Sequence, residues 1–255
     1  MLEELRAVRG RERADVIDLG CSYGINAALL KRGVPMNELY AHYVNPALAG
    51  ADSDTVAAQD ERFFRQYPAL ENLRVTGLDV ADNAVAYAER AGLVDRGVAA
   101  DLESAPPAPG VNALLAGADA VISTGCVGYV TRTTFDRILK ASEGGPPPWI
   151  ASFVLRMFSY DDIAGTLASY GLVTEKLGGV LFPQRRFAGP EEKAQTLASL
   201  HDMDIDTAGL EDRHGYLAEF WLSRPQEEAS ARPLHHIVTS DDLPPDAVSL
   251  ARPKP

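Results

Sequence analysis

A strand, a tight turn and the start of a helix follow one another near the start of this chain, and this run constrains the fold more than any other feature. Its residues are Val16-Ile17-Asp18-Leu19-Gly20-Cys21-Ser22-Tyr23-Gly24-Ile25-Asn26-Ala27. The apolar and β-branched residues before the turn favour a buried strand, and the two glycines let the backbone bend sharply and approach a bound group without a Cβ between them. The run therefore predicts a strand–turn–helix unit that holds a nucleotide-like ligand.

The order of residues in this turn differs from that of dinucleotide-binding turns. Those turns follow G-x-G-x-x-G, whose third glycine packs helix on strand below a pyrophosphate at the helix N-terminus. Here an acid leads, in the order Asp18-x-Gly20-x-Ser22-x-Gly24. A carboxylate at the end of a strand repels a pyrophosphate and attracts a cation. The turn therefore favours a ligand that carries positive charge and lacks phosphate.

Strand and helix patterns alternate along most of the chain. Strands are predicted at 15–20, 73–80, 97–100, 118–123, 149–155, 172–176 and 218–223, with helical patterns between them. Such alternation is typical of a parallel sheet with helices on both faces, and a long connection before the last strand is compatible with an antiparallel one. We therefore expect an α/β fold with a seven-stranded, mostly parallel, doubly wound sheet.

Two insertions and a tail depart from the alternation. Residues 36–70 carry two helical patterns with aromatic residues, and residues 178–216 carry the Arg185-Arg186 pair. Both are interpreted as a lid or substrate region, and the first either covers the ligand site or forms the contact of a homodimer. We expect a single domain over 1–224, followed by a proline-rich acidic tail over 225–255.

Charge and cysteine content narrow the class of ligand and the compartment. The 255 residues carry a net charge of −12, which disfavours a nucleic-acid partner. Only two cysteines are present, and no stretch is long and apolar enough for a membrane span or a signal peptide. We expect a protein of the reducing cytoplasm that binds a small molecule, with no nucleic acid and no membrane as partner.

With these elements in place, the chain resembles the class I S-adenosylmethionine-dependent methyltransferases of small-molecule type, over about residues 14–224. The first motif of that family is an acid-x-Gly-x-Gly-x-Gly turn, which residues 18–24 match with Ser22 in place of the middle glycine. The family's ribose-binding acid corresponds to Asp79, its adenine-contacting acid to Asp101, and its loop after the fourth strand to 123–127. The resemblance implies S-adenosyl-L-methionine as cofactor.

The chemistry of the cofactor agrees with these assignments of residues. An ionised carboxylate accepts hydrogen bonds from both hydroxyls of a ribose, which suits Asp79, and Asp101 can accept from the adenine amino group. Parallel strands present their carboxyl ends at one edge of a sheet, where ligands bind. The expected cofactor-binding residues are Asp18, Gly20, Ser22, Tyr23, Gly24, Asn26, Asp79, Val80, Asp101, Leu102, Ser123, Thr124 and Gly125.

Methyl transfer is an in-line displacement, so the protein mostly aligns the acceptor and excludes water, and a general base helps when the acceptor carries a proton. His42, Tyr129 and His214 are the candidate bases. The acid cluster of catechol-type enzymes is not apparent after the fourth strand, so no metal is expected. O- or N-methylation of a small molecule in natural-product or secondary metabolism is the preferred function.

Two other classes of function remain open. A nicotinamide-dependent oxidoreductase needs a third glycine and an acid about twenty residues after the turn, whereas Asp79 lies 59 residues beyond Gly20 (79 − 20). A binding or regulatory module that has kept the cofactor pocket and lost turnover is the other alternative. Calorimetry with S-adenosylmethionine, S-adenosylhomocysteine and NAD, followed by a turnover assay, separates the three.

Overall fold

The computed structural model describes residues 1–250 and has an α/β fold, which confirms the predicted fold class. The chain divides into two compact units, one of residues 2–122 and one that runs from residue 123 onward and includes Met1. The boundary between the units falls within the strand at Ala120–Thr124. The expectation of a single domain over 1–224 stays a prediction.

The first unit contains parallel strands with helices between them. β2 pairs with β1 from Ala14↔Leu73 to Leu19↔Leu78, and with β3 from Thr76↔Arg96 to Asp79↔Ala99, so three carboxyl ends meet at one edge. Its elements are α1 (Leu2–Arg9), β1 (Ala14–Leu19), α2 (Ile25–Arg32), α3 (Met36–Tyr43), α4 (Ser53–Phe64), β2 (Leu73–Asp79), α5 (Asp82–Arg90), β3 (Arg96–Ala99), α6 (Pro109–Ala116) and the start of β4 (Ala120–Thr124).

The second unit is antiparallel and is organised around β8. This strand pairs with β5, β6 and β7, each time in the antiparallel sense, which confirms the predicted antiparallel last strand. Its elements are α7 (Arg132–Ala141), β5 (Trp149–Leu155), α8 (Asp161–Ser169), β6 (Leu172–Lys176), β7 (Val180–Arg185), α9 (Pro190–Asp202), α10 (Glu211–His214), β8 (Tyr216–Pro225), α11 (Gln226–Ala231) and β9 (Val248–Ser249).

The predicted number of seven strands is wrong, because residues 1–250 form nine. The two additional strands are β7, within the insertion at 178–216, and β9, within the tail. Pro183 and the preceding Gly178-Gly179 weaken the strand pattern of β7. β6 pairs with residues 221–225 of β8 and β7 with residues 216–218, so the two strands lie along the same side of β8 and the glycine pair falls between them.

The insertion at 36–70 packs into the apolar core of the first unit. It forms α3, a 3₁₀ turn at Pro46–Leu48, and α4, whose N-terminus is capped by the Asp52 side chain accepting from the Thr55 amide at 2.7 Å. Its buried apolar face joins residues of α2 and α5 in one cluster, made of Ala28, Val34, Leu39, Ala57, Phe64, Tyr87, Ala91 and Leu93. Its role as a lid stays a prediction.

The tail is structured as far as residue 250. It forms α11, two 3₁₀ turns and β9, which pairs with β7 through Val180↔Ser249 and Leu181↔Val248. The Leu234 amide donates to the Glu175 carboxylate at 2.8 Å and so fastens the tail to β6. The predicted tail extends to residue 255, and its last five residues lie outside those described. Within residues 1–250, every helix is too short or too polar to cross a bilayer.

Candidate functional site

The turn between β1 and α2 holds three residues in the left-handed region of backbone space. These are Gly20 (φ 72°), Ser22 (φ 48°) and Gly24 (φ 81°). At Gly24 a Cβ would lie 2.8 Å from the Cβ of Ala88 on α5, so only glycine fits this close approach of turn and helix. Ser22 keeps the left-handed path where the resemblance expects glycine. The predicted order of strand, sharp turn and helix is therefore found here.

Asp79 joins the end of β2 to this turn. Its Oδ2 accepts from the Ser22 amide at 2.9 Å and its Oδ1 accepts from the Ala81 amide at 3.0 Å. Two backbone donors fix the plane of the carboxylate, and each oxygen retains a lone pair because a carboxylate offers about four acceptor positions. Such a group is prepared to accept two further hydrogen bonds from one ligand, as a vicinal diol supplies them.

Asp18 at the end of β1 is a buried carboxyl with an unsatisfied oxygen. Only 1% of the residue is exposed, and its Oδ2 has no hydrogen-bond partner among the described residues. Its pKa is raised from 3.8 to about 7, mainly by burial; the hydrogen bond from the Ala27 amide opposes this rise and the nearby Asp79 charge adds to it. Because an unsatisfied buried carboxylate is costly, a cation or a hydrogen-bond donor beside it would be strongly favoured.

Cys21 fills space behind the turn. A Cβ on Gly77 of β2 would lie 2.8 Å from its Sγ, so a glycine at 77 makes room for the thiol. Burial raises the pKa of the thiol to about 12, with the charges of Asp18 and Asp79 adding to the effect. The thiol therefore stays protonated and acts as a small apolar side chain.

Two large apolar side chains are exposed beside the carboxylates. Tyr23 in the turn is 55% exposed, and its ring meets that of Tyr87 edge to face at 5.5 Å. Val80 directly follows Asp79 and is 67% exposed. Asn26 lies half-buried in the first turn of α2. Exposed apolar surface next to a carboxylate suits a ligand that is part polar sugar and part flat ring.

The loop after β3 is tied to the same edge. The Ala100 amide donates to the Asp79 carbonyl at 2.9 Å, which holds the start of the loop beside the end of β2. Asp101 Oδ1 accepts from the amides of Glu103 and Ser104, both at 2.9 Å, and Leu102 is buried. Asp101 thus orders its own loop, and its assignment to the adenine stays a prediction.

Ser123, Thr124 and Gly125 belong to the second unit and are described there by their own contacts. Ser123 is fully buried, with its Oγ 3.1 Å from the Sγ of Cys126. Gly125 is left-handed (φ 69°), and its amide donates to the Phe153 carbonyl at 3.1 Å. The loop therefore begins with a turn that is hydrogen-bonded to β5, and its contact with a cofactor stays a prediction.

The three candidate bases lie in different surroundings. His42 is on α3 in the first unit, with Nε2 2.7 Å from Asp60 Oδ1 and its ring stacked on Phe63 at 4.1 Å. In the second unit, Tyr129 is 84% exposed and His214 is the exposed last residue of α10. Only His42 has a carboxylate partner that fixes its ring, and the choice among the three stays a prediction.

Sequence reasoning missed Asp60. It shares the buried face of α4 with Ala57 and Phe64, at a spacing of three and four residues, so an acid on an apolar helix face was the available signal. Within residues 1–250, no group of three or more His, Cys, Asp or Glu side chains is arranged to hold a metal ion.

Comparisons with known proteins give matches to solved structures alone. No protein-family model matches the chain, and no curated protein matches it by sequence. A TehB-like S-adenosylmethionine-dependent methyltransferase from Corynebacterium glutamicum matches at 14% identity and a TM-score of 0.38, over 86% of this chain and 85% of that one. An S-adenosylmethionine-dependent methyltransferase from Aquifex aeolicus matches at 12% identity and a TM-score of 0.34, over 87% of this chain and 89% of that one.

A third match is phosphoethanolamine N-methyltransferase 2 from Haemonchus contortus, determined with phosphomonomethylethanolamine and S-adenosylhomocysteine. It shares 13% identity at a TM-score of 0.41, over 88% of this chain and 53% of that one. This chain thus spans about half the length of that relative. With identities and TM-scores this low, the function has to be argued from the residues of this chain.

Proposed function

We propose that this protein is an S-adenosylmethionine-dependent methyltransferase that acts on a small molecule. The observation that carries the proposal is the pair of carboxylates at the turn. Asp79 is held by two backbone amides with acceptor capacity to spare, and Asp18 is buried with an unsatisfied oxygen. A ligand with a ribose diol and positive charge, and without phosphate, satisfies both.

The residues present fit this cofactor. Asp79 would accept from the ribose hydroxyls, while Asp18 would favour the cationic part of the ligand through the turn. Val80 and Tyr23 offer apolar surface for the adenine side, and the left-handed backbone at Gly20 and Ser22 keeps Cβ atoms out of the approach. A pyrophosphate beside these two carboxylates would be repelled, which disfavours the nicotinamide alternative.

When bound, S-adenosylmethionine supplies a methyl group that its sulfonium has already activated. The chain's own residues bind and orient the reactants and exclude water from them, and such alignment accounts for much of the acceleration in displacement reactions. Where the acceptor carries a proton, His42 is the preferred base, because Asp60 fixes its imidazole; Tyr129 and His214 are the other candidates.

The acceptor class is inferred from charge. A net charge of −12 disfavours a polyanionic substrate. We propose O- or N-methylation of a small molecule, in natural-product or secondary metabolism and in the cytoplasm, without a metal. A homodimer through the insertion at 36–70 stays part of this proposal.

Calorimetry tests the cofactor assignment. The full chain is titrated with S-adenosylmethionine, S-adenosylhomocysteine and NAD, and Asp79→Asn is compared with Asp82→Asn, a matched change at an exposed acid three residues away. We expect Asp79→Asn to weaken S-adenosylhomocysteine binding at least about tenfold, the effect of losing charge-assisted hydrogen bonds. The control Asp82→Asn should change the Kd of S-adenosylhomocysteine less than about twofold. Binding of NAD alone would refute the proposal.

A methyl-release assay over a panel of phenols, hydroxy acids and amines then tests turnover. Loss of turnover at saturating cofactor in His42→Gln, with its Kd for S-adenosylhomocysteine unchanged and with turnover retained in Tyr129→Phe and His214→Ala, would assign the base to His42. Binding of S-adenosylhomocysteine without turnover on any acceptor would favour the regulatory module.

A further inference from the structure

Asp60 is the centre of a buried hydrogen-bond cluster in the first unit. Its side chain is fully buried on α4. Oδ1 lies 2.7 Å from His42 Nε2, and Oδ2 accepts from the Tyr43 hydroxyl at 2.8 Å and from the Tyr87 hydroxyl at 2.7 Å. One carboxylate thus joins three helices, with His42 and Tyr43 on α3 and Tyr87 on α5.

The charge state of the two phenols agrees with their role as donors. Burial, followed by the hydrogen bond to Asp60, raises the pKa of both Tyr43 and Tyr87 well above the ordinary value. Both hydroxyls therefore stay protonated at neutral pH and donate to the carboxylate. A buried carboxylate without such partners would be costly, so the cluster fixes the position of α5 relative to the insertion.

Tyr87 connects the cluster to the turn at residues 20–24, which we call the ligand turn. Its ring packs edge to face on Tyr23, with centroids 5.5 Å apart and planes at 87°. Ala88, the next residue on α5, is the side chain that leaves no room for a Cβ at Gly24. A displacement of α5 at Tyr87 would therefore be felt at both Tyr23 and Gly24. Tyr23 presents more than half of its surface to solvent.

We propose that Asp60 is a positioning residue for the ligand turn: it holds Tyr87, and through Tyr87 it holds Tyr23 in place for contact with the bound cofactor. The inference rests on the proposed function, since it takes the ligand to be S-adenosylmethionine. It assigns the insertion at 36–70 a specific task, which is to hold the ring of Tyr23 in place through Asp60 and Tyr87.

Tyr43 and Tyr87 provide a matched pair of variants. Both donate to the same oxygen of Asp60 at nearly the same distance, and Phe at either position keeps the ring and removes one hydrogen bond. Tyr43 packs edge-on against His42 at 4.9 Å, whereas Tyr87 packs against Tyr23. If Asp60 only stabilises the fold, the two variants should lose stability and cofactor affinity alike.

The test measures the Kd of S-adenosylhomocysteine by calorimetry and the unfolding free energy by urea titration, for wild type, Tyr23→Ala, Tyr43→Phe and Tyr87→Phe. We expect Tyr87→Phe to raise Kd about three- to tenfold, as for residues coupled through direct contact. Tyr43→Phe removes a hydrogen bond to the same oxygen and should also lose stability, but it should change Kd less than about twofold. Because Asp60→Asn can unfold the chain, the tyrosine pair decides the question.

The outcomes separate this inference from the proposed function. If wild type does not bind S-adenosylhomocysteine, the proposed function fails. If wild type binds it and Tyr23→Ala leaves Kd unchanged, or the two phenylalanine variants shift Kd equally, the positioning role is refuted and the proposed function stands.

Discussion

The buried carboxyl of Asp18 makes the stability of the protein depend on pH in a defined direction. Its pKa is 3.8 in the unfolded chain and about 7 in the fold, so the folded state binds the proton more tightly. Stability from this group is fully present below pH 3.8 and is lost as pH rises through about 7. At 1.36 kcal/mol per pH unit, the whole loss is about 4 kcal/mol, of which about 2.5 kcal/mol falls between pH 5 and pH 8.

Asp18→Asn removes this titration without changing the shape of the side chain. The quantity measured is the unfolding free energy of the wild type minus that of the variant. We expect this difference to fall by about 2.5 kcal/mol when the pH is raised from 5 to 8. Urea titrations followed by circular dichroism at four pH values measure it, with Asp82→Asn as the control for an exposed acid. An Asp18→Asn variant whose pH dependence matches that of the wild type would refute the assignment.

The same carboxyl predicts a proton coupled to ligand binding. A cationic ligand favours the ionised form of Asp18 and so lowers its pKa, so the proton leaves on binding below pH 7. Calorimetry of S-adenosylmethionine at pH 6, in buffers of different ionisation enthalpy, counts that proton. We expect proton release in the wild type and none in Asp18→Asn. Equal proton release in both proteins would mean that another group takes part.

Two further predictions concern the packing of each unit. Gly24→Ala should destabilise the fold by about 2 kcal/mol or more, because its Cβ would collide with α5, whereas Gly92→Ala, equally left-handed (φ 67°) but with no atom within 4 Å, should cost about 1 kcal/mol. Arg156→Met should cost about 3 kcal/mol, because it leaves the Glu211 carboxylate buried after loss of a 2.7 Å ion pair. Burial raises the pKa of Glu211, so this cost should shrink as pH falls. Arg185→Met, which breaks an exposed pair, is the control and should cost under about 1 kcal/mol. Thermal and urea unfolding measure both series.

Sequence patterns predicted the features that depend on neighbours along the chain. The predicted strand at 15–20 is found at Ala14–Leu19, and the predicted sharp turn follows it, with left-handed backbone at Gly20 and Gly24. Strand β7 was missed because its apolar residues are few and Pro183 interrupts them, so that its pairing with β8 outweighs a weak local pattern. β9 has two residues, too few to show a period.

The Asp60 cluster could not be assembled from sequence, because its members are distant along the chain. Asp60 lies 18 residues from His42 and 27 from Tyr87, and each belongs to a different helix. Helical periodicity can place an acid on a buried face, but it does not tell which helices supply the donors. Tertiary packing decides that, so neither Tyr43 nor Tyr87 was predicted as a site residue.

At Ser22, the cost of backbone strain to stability can be measured separately from any contact between the side chain and the ligand. A left-handed serine costs about 1–2 kcal/mol, which Ser22→Gly relieves, while the added freedom of the unfolded chain takes back about 0.4–1 kcal/mol. The net stabilisation should therefore lie between about 0 and 1.6 kcal/mol. The amide that donates to Asp79 is kept, so the carboxylate stays in place. A stability gain with unchanged S-adenosylhomocysteine affinity would show that the serine side chain makes no ligand contact. Weaker binding in spite of the gain would show that its hydroxyl takes part, and a loss of stability would refute the strain argument.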